Sequence, residues 1–319
     1  LFHNPYSSNG YNLVNANPVA NRTRTVKAAM HGGRPMPSTL LLTTLLATTL
    51  MAAALHAEPR HSEMVTGNGV SIETFIEGTG PAIVMLPSNG RDGAEDFDTV
   101  AHMLAQAGFK VLRPQPRGML GSTGPMQGVS LHDLAGDVVM VIDKLGNGRA
   151  VIVGHAFGHF VARMAAVDHP EAVRGVVLAA AAASTWAPEI AATPTKAGDL
   201  NAPEADRLAA LRLGFFAPGH DPTPWLHGWW PAAQIMENNS REKAGVKQSD
   251  WWSAGSAPLL ELIPASDPFK PRQYWGELKQ SYGDRVQTVI IPDASHALFP
   301  EQPKAVADAI IAWVKTLPP

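Results

Sequence analysis

Along residues 62–315 the apolar positions change rhythm, from every second residue to every third or fourth and back again. SEMVTG and VSIETFIEG flank Asn68-Gly69, a pair that readily takes the positive φ values of a two-residue hairpin turn. PAIVML (81–86) is apolar throughout, as a strand buried on both faces should be. Phe97, Val100, Ala101 and Leu104 then recur at helical spacing, and Gly108 closes that helix. FKVLRP (109–114) predicts another strand. Ser130 and Asp133 form a capping box ahead of a helix face running from Leu131 through Leu134, Val138 and Ile142 to Leu145. AVIVG (150–154), a helix to about Val167, and VRGVVLAAA (173–181) continue the series.

The alternation stops in 184–256, which holds six of the eight Trp, many Pro and little regular periodicity. It resumes with LLELIP (259–264), a helix near 272–281, RVQTVIIP (285–292), and a last helix whose face is Val306, Ile310, Trp313 and Val314. Repeated strand–helix units imply an α/β fold, a mainly parallel, doubly wound sheet with helices on both faces. The segment at about 184–256 predicts a Trp-rich cap inserted into one sheet.

Upstream, residues 40–55 form an uncharged apolar run that ends in small residues before Glu58-Pro59. With Met30 as start and Arg34 in the basic region, 30–57 reads as a secretory signal peptide, the alternative being an uncleaved membrane anchor. Residues 1–29 begin without Met and are rich in Asn, and read as an upstream, non-native segment. The expected mature protein is then 58–319, periplasmic or secreted, with no membrane attachment after cleavage.

Hydrophobic residues make up 45% of the chain and charged ones 17%, enough for a sizeable core. A net charge of −3 without a basic run argues against nucleic acid as partner. The absence of Cys excludes a thiol nucleophile, a disulfide and a lipid-modified cysteine. No H-E-x-x-H or similar spacing points to a metal, and nothing requires a cofactor. The expected partner is a small-molecule substrate; the pattern fixes no oligomeric state.

In such sheets ligands bind at the carboxyl ends of the strands, and four features fall there. Gly154-His155-Ala156-Phe157-Gly158 follows one strand with the spacing of the nucleophile elbow G-x-S-x-G, Ala156 standing at the Ser position. Asp267 follows strand 259–264, His296 follows strand 285–291, and Ser88-Asn89-Gly90 follows strand 81–86. A His acting as base needs a partner for its second ring nitrogen, which Asp267 can supply.

Over residues 62–315 the chain resembles the α/β-hydrolases, whose order is elbow, acid, His. ASHALFPEQP resembles the family's G-H-x-x-x-x-E-x-P block, and PQPRGMLGST (114–123) resembles its D-x-R-G-x-G-x-S loop with Gln115 at the Asp position. The resemblance implies a hydrolase of small apolar esters or lactones, with a dyad of Asp267 and His296. It implies an oxyanion hole from the amides of Phe157 and of Ser88 or Asn89, and a packed His155 beside the elbow. Two departures stand out: Pro87-Ser88 replaces the family's His-Gly, and Ala156 replaces the nucleophile. The resemblance is closest to a subgroup with Ala at the elbow.

A methyl group cannot attack a carbonyl, so acyl-enzyme chemistry at Ala156 is excluded. Three readings remain: a Ser-to-Ala knockout of a serine esterase, an enzyme using other groups, or a non-catalytic binder on a hydrolase scaffold. Pro87-Ser88 argues against the first, since a single substitution would leave the oxyanion segment ordinary. Ser88 itself is a candidate displaced nucleophile, a substrate donor, or a turn residue. The aromatic density of 224–232 and 251–252 is expected to pack the cap and line an apolar pocket, with no charge cluster for an ionic substrate.

Overall fold

The structure, a computed structural model, describes residues 60–242 and 244–318. The expectations for 1–29 and for the signal peptide at 30–57 lie outside the described residues. β1 (His61–Gly67) and β2 (Val70–Glu77) form the hairpin about Asn68-Gly69, and both turn residues have positive φ. β3 (Ala82–Leu86), β4 (Lys110–Pro114), β5 (Ala150–His155), β6 (Val173–Ala179), β7 (Leu259–Pro264) and β8 (Val286–Ile291) run parallel. The sheet order is β1-β2-β4-β3-β5-β6-β7-β8, with β2 antiparallel to β4.

Helices α1 (Asp98–Gln106), α2 (Leu131–Leu145) and α3 (Gly158–Asp168) fill the connections between β3, β4, β5 and β6. The capping box forms as the sequence predicts: Ser130 Oγ accepts from the Asp133 amide, and the Asp133 carboxylate accepts from Ser130. Between β6 and β7 lie α4 (Pro188–Ala191), α5 (Thr193–Gly198), α6 (Glu204–Gly214), α7 (Pro231–Glu242) and α8 (Gln248–Trp251). α9 (Glu277–Tyr282) precedes β8; α10 (Leu298–Glu301) and α11 (Pro303–Val314) follow it.

Alternate residues of the central strands feed two cores, as the period of two requires. Val84, Leu86 and Ile152 pack with α2 and α3 on one face, while Ile83, Met85 and Val153 pack with α1 and α11 on the other. Every residue of β3, β5 and β7 is buried, which explains their largely apolar runs; the exception within β7, Glu261, is ion-paired with Lys270 at 2.7 Å.

The insert differs from its sequence expectation in being largely helical. Its helices are short, and their buried stripes are not apolar. In α6 the buried positions Arg207, Ala210, Leu211 and Gly214 keep helical spacing but contain one large hydrophobe. In α7 the buried positions are Ala233, Gln234, Met236, Glu237 and Ser240. Burial there is set by hydrogen bonding as much as by hydrophobicity, so a hydrophobic periodicity cannot reveal it. Phe215, Trp225 and Trp229 form the cap's own core, which reaches Ala297 beside the dyad's His.

Candidate functional site

β5 delivers the chain into the elbow, and Ala156 there has φ 46°, a left-handed conformation rare for a residue with a side chain. Its amide donates to the carbonyl of Ala179 at the end of β6, 3.0 Å away. The two flanking glycines answer to sterics. A Cβ on Gly154 would lie 2.5 Å from the Gly158 carbonyl oxygen, and one on Gly158 would lie 2.5 Å from that of Leu86. The Gly158 amide also donates to Pro87, tying the elbow to the loop that follows β3.

His296 Nδ1 lies 3.0 and 3.2 Å from the two carboxylate oxygens of Asp267, both residues being buried. Asp267 Oδ1 also accepts from the Phe269 amide at 2.9 Å, so the residue forms its local turn and engages the imidazole at once. With Nδ1 committed as the donor, Nε2 is left as the acceptor on the opposite side of the ring. The rings of Phe269 and Phe215 pack on His296, with centroids 4.3 and 5.5 Å away.

A cavity of about 340 Å³ opens between this ring and the cap. Ala156, Phe157, Ser88, Asn89 and His296 all line it. The amides of Phe157, Ser88 and Asn89 donate to no acceptor among the described residues. Phe157 and Asn89 stand on the two segments that the Gly158–Pro87 bond joins, and amides so placed suit a developing oxyanion. Ser88 is buried at the wall, and its hydroxyl forms no hydrogen bond with His296. Among the described residues no group of three or more His, Asp or Glu could hold a metal ion.

His155, expected to pack beside the elbow, is not among the residues that line the cavity, so it does not bind substrate directly. It is fully buried beneath the cavity, and Nε2 donates to the backbone carbonyl of His296 at 2.7 Å. Burial above all, and then the neighbouring His296, pushes its pKa down to about 3. It stays neutral and anchors the loop that carries the dyad.

Three groups in the site carried no warning in the sequence. Glu237 of α7 accepts from the Gly90 amide at 2.7 Å and from Asn89 Nδ2 at 3.0 Å. Burial raises its pKa to about 8 against those two hydrogen bonds, so the carboxyl is largely neutral at pH 7. Arg91 pairs with Asp96 through two nitrogens, donates to the His227 carbonyl, and stacks on Trp225. Arg241, also of α7, lines the cavity, whose walls were expected to be apolar. What would mark Glu237 is spacing alone, since Ala233, Met236, Glu237 and Ser240 repeat at i, i+3, i+4, i+7.

Two residues of the other family-like segments, Gln115 and Glu301, also find their places. Gln115 is fully buried; its Oε1 accepts from the Gly93 amide and its Nε2 donates to the Arg113 carbonyl. An ionised Asp could only accept, so the amide supplies a donor that the family's residue lacks. Glu301 of the ASHALFPEQP block accepts from the amides of Ser295 and Ala217, both at 2.6 Å, joining the dyad loop to the cap.

A mainly parallel sheet with an elbow, an acid and a His after β5, β7 and β8, under an inserted cap, defines a hydrolase-type scaffold. The alpha/beta hydrolase fold model matches residues 81–303, and the chain belongs to that family. Epoxide hydrolase A of Mycobacterium tuberculosis is 34% identical over 116 residues, 35% of this chain and 36% of that protein. The chain spans about a third or less of the length of the epoxide hydrolases it matches. Haloalkane dehalogenase 2 of the same species is 24% identical over 262 residues, 74% of this chain and 88% of that protein. A thermophilic esterase from Thermogutta terrifontis shares the fold with a TM-score of 0.65 at 21% identity, covering 81% of this chain and 98% of its own.

Proposed function

We propose that the protein hydrolyses small ester- or lactone-like molecules by general-base activation of water, with no covalent intermediate. The observation that carries this reading is the buried Asp267–His296 pair, 3.0 Å apart, at the wall of a cavity whose elbow position offers only a methyl group. His296 Nε2 takes a proton from water as the water oxygen bonds to the acyl carbon. The carbonyl oxygen becomes an oxyanion held by the amides of Phe157 and Asn89. Collapse breaks the acyl–oxygen bond, and the imidazolium returns its proton to the departing alkoxide. Asp267 orients the ring and offsets its charge throughout. Relatives named as epoxide hydrolases and haloalkane dehalogenases, and a structural neighbour named as an esterase, support a hydrolase-type function.

Hydrolysis of short p-nitrophenyl esters tests the reading, and His296→Ala is expected to lower it by about 100-fold or more. A fluorophosphonate should leave Ser88 unlabelled, because that hydroxyl is not hydrogen-bonded to the base. Covalent label on Ser88, with activity lost in Ser88→Ala, would replace water by Ser88 as nucleophile. Turnover that survives His296→Ala rules out both routes. Absence of turnover in the wild type, together with the methyl at Ala156, would favour a second reading, a small-molecule binder using the same cavity.

A further inference from the structure

Residues 267–270 give His296 two of its contacts at once. Asp267 begins a tight turn in which its carboxylate accepts from the Phe269 amide and its carbonyl accepts from the Lys270 amide at 3.2 Å. Phe269 leaves the same turn to lay its ring on the imidazole. A shift of this turn therefore displaces the acid and the packing of the base together.

Lys270 ends the turn, and its side chain is buried. Its Nζ lies 2.7 Å from Oε1 of Glu261, in the middle of β7, and 2.8 Å from Oε1 of Glu277, the first residue of α9. Glu261 precedes the turn and Glu277 follows it. One cation thus ties the strand that delivers the acid to the helix that comes next. The Lys270 carbonyl accepts from Trp275 Nε1 at 3.0 Å, and the other oxygen of Glu277 accepts from the Ser184 amide at the start of the insert.

A buried ion pair is a poor device for stability alone, because desolvation offsets much of the attraction and apolar residues of similar volume often do as well. Burial pushes the Glu261 carboxyl pKa up, and Lys270 beside it acts in the opposite direction. What the pair does supply is geometry, since the ammonium must keep hydrogen-bond distance to both carboxylates and the turn is attached to it.

We infer that Lys270 is a positioning residue for the catalytic acid, its clamp on Glu261 and Glu277 setting where Asp267 meets His296 Nδ1. The inference rests on the proposed hydrolysis for its kinetic test only; the tautomer of His296 reads it without turnover.

Lys270→Met keeps most of the side-chain length and removes the charge. Its kcat for 4-nitrophenyl acetate should fall about tenfold or more while KM stays within about threefold, as displacement of a catalytic group without loss of substrate contacts requires. Met also strands the buried Glu261, so the double variant Glu261→Gln, Lys270→Met separates positioning from stability. It should regain most of the lost Tm and keep the low kcat; a kcat that returns with Tm overturns the inference. Glu277→Gln cuts one arm of the clamp at a less buried position and decides the matter if the Lys270 variants do not fold. Its kcat should fall by about threefold or more, and an unchanged kcat overturns the inference. In every folded variant, 15N NMR of the neutral His296 ring gives a second readout. The wild type should hold its proton on Nδ1, facing Asp267, and the variants should show a share on Nε2. If the wild type hydrolyses no ester, this signal decides alone: a shifted tautomer supports the clamp while the hydrolase reading fails, and an unchanged one overturns it.

Discussion

The left-handed backbone at Ala156 costs an L-residue roughly 1–2 kcal/mol, and a methyl group draws no chemical benefit from it. The conformation follows from what surrounds it, namely a hydrogen bond from its amide to the Ala179 carbonyl on one side and glycine contacts with Leu86 and Gly158 on the other. Serine adds one oxygen on the side facing the cavity and changes no backbone preference. Ala156→Ser should therefore fold with an unchanged Tm and raise p-nitrophenyl ester hydrolysis by at least about tenfold, with fluorophosphonate label now at 156. A folded variant without label would mean that His296 Nε2 is aimed away from the elbow. Gly154, Gly158, Asp267 and His296 were legible because each is fixed by a local motif next to a strand end. Arg241 and Glu237 were not, since their neighbours Phe160 and Gly90 are distant in sequence and only tertiary folding brings them together.

At the level of elements, the strands and the helices against the sheet announced themselves by period, whereas the cap helices bury Arg, Glu, Ser and Gly. α7 shows what such burial does. Its Glu237 holds the loop after β3 by two hydrogen bonds, and its carboxyl ionises only near pH 8 in the folded chain. A raised carboxyl pKa stabilises the fold fully below the unfolded value of about 4.3 and loses that contribution as pH climbs through the folded value. Between about pH 4.5 and 8 the unfolded chain gives up its proton while the folded one retains it, so stability falls across that window. Glu237→Gln keeps an acceptor for Gly90 and cannot ionise. Its Tm should match the wild type near pH 4 and exceed it increasingly toward pH 8, by the equivalent of several kcal/mol at about 1.4 kcal/mol per tenfold change in proton affinity. Parallel Tm curves over that range would show that Glu237 is ionised in the fold already.

Across the whole molecule the cap is tied to the sheet's functional edge at several points besides Glu237. The Trp230 amide donates to the Gly90 carbonyl, Trp230 Nε1 donates to Asp92, and Arg91 forms a bridge with Trp229. Glu301 ties Ala217 of the insert to Ser295 of the dyad loop. The amides of Gly90 and Trp230 should therefore exchange with deuterium at rates within about tenfold of the Ala156 amide, all opening with the sheet. Much faster exchange at 90 and 230 alone would identify a cap that opens by itself. The contact between Glu237 and Asn89-Gly90 has a further consequence for how such chains diversify. A recombination crossover anywhere between residues 93 and 184 would join one parent's β3 loop to another parent's cap, parting a carboxyl from the amides it was fitted to. Cap and loop must then be inherited as a pair, and a foreign cap would arrive over a misaimed loop unless residues 87–93 came with it.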